Sequence, residues 1–377
     1  MVAAVSVVQV PLTVVMPVRN ALPYLSGAIE SILGQTFSDF LFLIIDDGST
    51  DGSSELIRSY ASKDARIKLA SGPQQGVAAV RQFGLMSVET PLLAWMDADD
   101  ISAPDRLEKQ VLWLKGHPEV AVLGADMVVI DAEGRPLAHA KQPSSYEEIA
   151  VGMRQGCVIN NPTVMMRCES AKRAGGYRSF FKGAEDFDLW LRLLDGGEIL
   201  ANIPVPLVYY RKHSANMTCG DAKLLALYSA LAQESSHCRR RGLFDFLPNA
   251  TELSSPESFE VFFSESKMVL YSFYRTYARY LISWTSLWDR NSIQYITSVL
   301  DKIKRIETKA LKRSYLLSAG QDYFQLRLVF AAYKCIQAKN WIHSLCFFVS
   351  ALRFPFELLA VSFSWGINIV KKEVIKR

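Results

Sequence analysis

Several common signatures of phosphate, redox and nucleophilic chemistry are missing from this chain of 377 residues. No Gly-x-x-x-x-Gly-Lys-Ser/Thr loop occurs, and no Gly-x-Gly-x-x-Gly follows the first apolar run, so ATPase and dinucleotide-binding readings lose their main support. No Gly-x-Ser-x-Gly elbow appears either. The six cysteines (157, 168, 219, 238, 335, 346) form no Cys-x-x-Cys pair and keep no regular spacing. That pattern argues against a disulfide framework or a zinc site and reads as ordinary thiols in a reducing compartment. Neither sign of charge dominates: 42 Lys and Arg stand against 38 Asp and Glu, a formal net charge of +4, and nothing in that balance calls for a nucleic-acid partner. No basic segment precedes the first apolar run, which argues against a signal peptide. The late apolar stretch from Leu345 to Val370 is broken by Arg353, Pro355 and Glu357, whereas a clean spanning helix needs about 20 mostly apolar residues. It reads as buried or interfacial helices, with a membrane-spanning helix as the alternative.

What is present suffices for a large core, since 50% of the residues are hydrophobic. The first half alternates strand and helix signals. Apolar β-rich runs at Leu12 to Val18, Phe40 to Ile45, Arg66 to Leu69, Pro91 to Met96 and Val120 to Ile130 are separated by stretches of helical spacing. One such stretch carries Leu22, Leu25, Ala28, Ile29, Ile32 and Leu33; another runs from Val77 to Val88. Strands that are apolar throughout, with helices between them, predict an α/β fold with a mainly parallel sheet covered on both faces. A helix is expected over Tyr146 to Met153, a strand over Thr163 to Met166, and short β segments over Ile199 to Tyr210, confined to edges by Pro204 and Pro206. Beyond about residue 216 the sequence reads as helical, aromatic and poor in strands. The expected division is a catalytic domain over 1–216 and an all-helical region over 217–377.

In parallel sheets ligands sit beyond the carboxyl ends of the strands. Polar clusters fall there: Arg19-Asn20 after the first strand, Asp46-Asp47 after the second, and Asp97-Ala98-Asp99-Asp100 after the fourth. An Asp-x-Asp at a strand end presents two carboxylates at one place, which suits Mg²⁺ or Mn²⁺ bound together with phosphate oxygens. Alternatively it is an acidic turn that caps the next helix. Gly48 permits a turn in which Asp47 meets a nucleotide edge, while Ser49, Thr50 or Asp51 caps the following helix. Glu185-Asp186 opens an amphipathic helix bearing Phe187, Trp190, Leu191 and Leu194. Asp186 is a cap or a general base for a hydroxyl nucleophile. His213 follows a strand and either completes a metal shell or lies in a surface loop. Arg211 beside it is a candidate phosphate contact.

Taken together these pieces resemble the large family 2 of inverting glycosyltransferases, of the GT-A fold, and they occur in that family's order over roughly residues 12–216. Pro17-Val18-Arg19-Asn20 resembles its opening nucleotide loop, and Ser31 to Phe37 the helix end that follows. Asp46 to Asp51 resembles its Asp-Asp-Gly-Ser block, Asp97 to Asp100 its metal motif, and Pro104 to Gln110 the helix after it. Glu185-Asp186 with Leu189 to Arg192 resembles its base motif, and Tyr210 to His213 its closing segment. The resemblance implies that Asp47 binds the nucleotide base and that Pro17, Val18, Asn20 and Arg81 serve the nucleotide. It implies that Asp99 reaches metal and diphosphate, with Asp97 and Asp100 around ribose, donor sugar and metal and His213 beside them. It makes Asp186 the base. Two positions depart from the family: Arg19 stands where Tyr is frequent, and Gln82 where Asn is frequent.

The function this implies is transfer of a sugar from a nucleoside-diphosphate sugar, UDP-linked, to an acceptor hydroxyl of a glycan or lipid-linked saccharide, with Mg²⁺ or Mn²⁺ and with inversion. The setting implied is cell-surface polysaccharide synthesis, at the cytoplasmic face of a membrane touched peripherally by the basic, aromatic tail. A nucleotidyltransferase and a non-catalytic nucleotide-sugar-binding module are the alternatives.

Overall fold

The computed structural model describes residues 11–213, 222–242 and 245, together with Phe273, Tyr274, Tyr277, Ser298, Val299 and Lys302. The apolar stretch after Leu345 and the basic residues Lys304, Arg305, Lys309, Lys312 and Arg313 of the tail lie outside the described residues. The elements begin with β1 (Leu12–Val18), α1 (Leu22–Leu33), β2 (Phe40–Asp46), α2 (Ser53–Ala61), β3 (Ile67–Ser71), α3 (Val77–Ser87) and β4 (Leu92–Trp95). They continue with β5 (Ile101–Ser102), α4 (Arg106–Gly116), β6 (Val120–Ile130), β7 (Pro136–Ala140), α5 (Tyr146–Gly152), β8 (Met165–Arg167) and α6 (Cys168–Arg173). The last are α7 (Glu185–Asp195), β9 (Ile199–Arg211) and α8 (Ala222–Arg240).

These strands form one nine-stranded sheet in the order β3-β2-β1-β4-β8-β6-β9-β5, with β7 on β6. The β3-β2-β1-β4 half is parallel, as continuous apolar strands joined by helices require. Helix α1 buries Leu25, Ala28, Ile29 and Ile32 against it, at the spacing of one helical face. Past β4 the sheet is mixed. β8 enters antiparallel between β4 and β6, although it comes late in the chain.

One expectation needs correcting. The region from Ile199 is one 13-residue strand, parallel to β6 along its length, not several short segments. Its prolines sit where the register shifts, between the pairs Ala125↔Ile203 and Asp126↔Pro206. On its other side β5 pairs only with Val208 and Tyr209, so the missing N–H groups of Pro204 and Pro206 interrupt no ladder there. The chain divides into compact units Met1–Phe262 and Phe263–Arg377, and α8 packs on α7 inside the first. Among the described residues no helix is long and apolar enough to cross a membrane.

Gly84 sets how closely α3 lies on the sheet. A Cβ there would stand 3.0 Å from Ile45 Cδ1 and Val15 Cγ1 and 3.2 Å from the Trp95 ring. Only the bare glycine allows this approach, which brings Arg81 within reach of Asp97 after β4.

Candidate active site

The loops after β1 and β2 are stitched together by short polar side chains. Asn20, at a left-handed φ of 53°, donates its backbone N–H to Ser49 Oγ at 3.1 Å and accepts at Oδ1 from Thr50 N at 2.8 Å. Asp46 accepts from Ser49 N at 2.9 Å and from the Ser54 hydroxyl. Asp51 accepts from Ser53 N and from Leu22 N, each at 3.0 Å, and so serves the starts of α2 and α1 together. The Asn20, Asp46 and Asp51 side chains are thus engaged in holding the rim. Val18 is buried in the core and acts through its carbonyl, which accepts from Asp47 N at 2.8 Å. Pro17 beside it is half-buried at the end of β1.

Asp47 stands apart. Its Oδ1 accepts from Gln74 N at 2.6 Å, and Gly72 lies so close that a Cβ would come within 2.5 Å of that oxygen. The exposed Arg19 guanidinium reaches Asp47 Oδ2 at 3.8 Å. Arg19, at the position where the resembling family often carries Tyr, therefore covers this carboxylate with charge.

The second group gathers beyond β4. Asp97 and Asp99 keep side chains 27% and 28% exposed, so both reach solvent. Asp99 Oδ2 lies 2.9 Å from His213 Nε2. The His213 ring packs at 4.8 Å on Tyr24, whose face also receives the Arg211 guanidinium at 4.8 Å. Asp100 is turned inward: Oδ1 accepts from Arg211 N at 2.8 Å, and Oδ2 is buried without a hydrogen-bond partner. Arg211, a phosphate candidate by sequence, instead binds the Asp99 carbonyl at 2.9 Å and the Ala132 carbonyl at 3.0 Å. It pins the acidic loop to the turn after β6.

Arg81 joins this group to α7. Its Nη1 donates to Glu185 Oε1 at 2.5 Å, and its Nη2 lies 3.7 Å from Asp97 Oδ1. Arg81 Nε and Glu185 Oε2 are both buried without a hydrogen-bond partner. The neighbouring Gln82 accepts from Tyr177 N at 2.6 Å, so α3 holds the loop before α7 at two points. Asp186, half-buried on the first turn of α7, accepts from Phe187 N at 2.7 Å. The Arg81–Glu185 pair, 104 positions apart in sequence, was not legible beforehand.

The electrostatics follow from crowding. Burial pushes the Asp97 carboxyl up to about 6, Arg81 opposing it and Asp99 and Asp186 adding to it. Asp100 lies well above the ordinary range, through burial first and then Asp97 and Asp99. Burial raises Glu185 to about 7 against Arg81, with Asp186 adding to the rise, and it raises Asp186 against Arg81 as well. Burial works against the charge on Arg81, but Glu185, Asp97 and Asp186 outweigh it and keep the guanidinium charged. Carboxylates outnumber cations here, and a divalent cation with phosphate oxygens is what such a site accepts.

The four residues expected at a metal do not gather into one shell; among the described residues no group of three or more His, Cys, Asp or Glu does so. Asp100 Oδ1 is engaged by Arg211 N, and Asp97 faces Arg81. Asp99 and His213 remain side by side. Mg²⁺ and Mn²⁺ commonly take only one or two protein carboxylates, so this pair fits such an ion.

A sheet of this order, with acidic loops gathered beyond β4 and a second acidic pair at the start of α7, is that of a GT-A sugar transferase. Residues 13–173 match the family described as Glycosyl transferase family 2. The chain is 34% identical over 206 residues to the putative glycosyltransferase EpsE of Bacillus subtilis, a match spanning 54% of this chain and 73% of that protein. It is 28% identical to the O-antigen biosynthesis glycosyltransferase WbnJ of Escherichia coli, over 54% of this chain and 80% of the other. Among solved structures, S. aureus TarS 1–349 in complex with UDP-GlcNAc shares the fold, with a TM-score of 0.57 at 14% identity over 88% of this chain and 89% of that one. The chain belongs to glycosyl transferase family 2, and it is an enzyme of sugar transfer.

Proposed function

We propose that this enzyme moves a sugar from a nucleoside-diphosphate sugar, UDP-linked, to a hydroxyl of a glycan or lipid-linked saccharide, with inversion, in the synthesis of a cell-surface polysaccharide. The observation that carries the reading is the convergence of Asp97 and Asp99 from the end of β4 with Glu185-Asp186 from the start of α7, bridged by Arg81. The O-antigen role in the WbnJ name and the UDP-GlcNAc in the TarS structure are of the same chemical class as the proposed acceptor and donor.

Each residue has a distinct task. Asp47, after Arg19 swings aside, takes the edge of the nucleotide base. Asp97 orients the ribose and the donor sugar. Asp99 and His213 would hold Mg²⁺ or Mn²⁺, which when bound offsets the charge of the departing diphosphate. Asp186 removes the proton from the acceptor hydroxyl as its oxygen attacks the anomeric carbon and the bond to the diphosphate breaks. A raised Asp186 pKa suits this task, because a stronger base takes the proton more readily. One displacement inverts the anomeric centre, so an α-linked donor gives a β-linked product.

The test is Asp186→Asn. Stabilisation of the fold by nucleotide sugar with Mn²⁺ should persist, while transfer falls by about 10²–10⁴-fold. Transfer near the wild-type rate would remove Asp186 from the role of base. Peripheral membrane contact through residues beyond 216 belongs to the same reading. Flotation of the full chain with anionic but not neutral vesicles supports it, and no flotation with either rejects it.

A further inference from the structure

Beside α7 runs an unbroken alternation of charge that transfer chemistry does not use. Asp188, fully buried, accepts from Arg178 Nε at 2.9 Å and from Arg192 Nε at 3.0 Å. Arg178 turns its Nη1 to Asp245 Oδ2 at 3.0 Å. That same oxygen accepts from Arg239 Nη1 at 3.2 Å, and the other Asp245 oxygen accepts from Ser235 Oγ at 2.7 Å. Arg239 Nε in turn reaches Asp195 Oδ2 at 2.9 Å, and Ser236 Oγ reaches Asp195 Oδ1 at 2.9 Å. Arg192, Asp188, Arg178, Asp245, Arg239 and Asp195 thus alternate in sign, running from α7 through the loop before it and the residue after α8 to α8 and back to the last residue of α7.

Asp245 is the middle link. Two guanidiniums on the buried Asp188 leave one positive charge in excess, and Asp245 takes it up through Arg178. Burial opposes the Asp245 charge, yet Ser235, Arg178 and Arg239 hold its carboxyl below the usual range, so the link stays ionised.

The chain of charges bears on the reaction because of where it grips. Residues i and i+3 are neighbours on a helix surface. Glu185 is held by Arg81, and Asp188, three residues on, by Arg178. The first turn of α7 is therefore clamped at two adjacent points, with Asp186 between them in sequence. A slight roll of that turn re-aims Asp186, and misplacement by about 1 Å can cost about 10²-fold in rate.

We propose that Asp245 is a positioning residue for sugar transfer: through Arg178 and Asp188 it fixes the roll of the first turn of α7 and hence the aim of Asp186. The inference rests on the reading of Asp186 as general base. It assigns to a residue after α8, well beyond the matched family segment, a part in the geometry of the active site.

The experiment uses the full chain and the nucleotide sugar, from a UDP- and GDP-linked panel, that gives the fastest wild-type turnover with Mn²⁺. Asp245→Asn should lower kcat about tenfold and leave the donor KM within about twofold, while Asp245→Glu recovers most of the loss. Unchanged kcat in Asp245→Asn would overturn the proposal, as would kcat and KM changing together without recovery by Asp245→Glu. Should Asp245→Asn fail to fold, Arg239→Gln is measured instead. It leaves Asp245 with Arg178, and it should show the same split in smaller measure; no effect on kcat overturns the proposal equally. Asp186→Asn runs alongside. If it turns over normally, the base assignment itself is wrong. If it is inactive while Asp245→Asn is normal, only the positioning role fails.

Discussion

Glu185 and Arg81 show how far one buried pair reaches. Burial lifts the Glu185 carboxyl to about 7, against Arg81 and with the help of Asp186. A folded pKa above the unfolded value means the folded chain holds that proton more tightly. The associated stability is therefore complete below about 4.5 and is lost as pH rises toward 7. Urea midpoints of Glu185→Gln should fall less between pH 4.5 and 7 than those of the wild type, which fixed-pH titrations check. Arg19 gives a second case. Its guanidinium lies 3.8 Å from Asp47 Oδ2, the carboxylate proposed to take the nucleotide base. Arg19→Ala should change the donor KM by a few fold in either direction and leave kcat within about twofold, as steady-state kinetics would read. At this scale the sequence marked Asp47, Asp97, Asp99 and Asp186 by chemistry and order. It did not reveal which carboxylates turn inward: Asp100 and Asp46 look like their neighbours in a string of letters, and only the backbone around them decides. The i,i+4 pair Asp188–Arg192 was legible as helix spacing, whereas the Arg178 and Asp245 partners were not.

Elements were read best where one period governed a long run. β1, β2, β6, α1 and α7 fall where apolar spacing placed them. β5, with two residues, and β7, largely exposed, carry too little periodic signal to be found. β9 was read as short edge segments because Pro204 and Pro206 cannot donate to a ladder, whereas the register shift beside β6 accommodates them within one strand. Helix α7 buries more than the single face expected, since Leu189 and Leu193 are covered as well as Phe187, Trp190 and Leu191. The seat of α3 can be tested directly. Gly84→Val puts side-chain atoms where Ile45, Val15 and Trp95 already stand, and it should cost about 1–3 kcal/mol in urea denaturation, with loss of donor binding as Arg81 is displaced.

For the whole molecule, the alternation of strands and helices was enough for the fold class, and the polar clusters mark the ends of β1, β2 and β4. The packing of α8 on α7 was not legible, because the partners of Asp195, Ser236 and Arg239, stand 41 and 44 positions away. A chain ending at 216 would bare the α8-facing side of α7, so it should melt lower and less cooperatively than one ending at 262, as calorimetry would show. The central claim is a single in-line displacement with Asp186 as base. Its most direct test is the anomeric proton coupling in the NMR spectrum of the product formed from an α-linked nucleotide sugar. A β-linked product is expected, and an α-linked product would contradict the account.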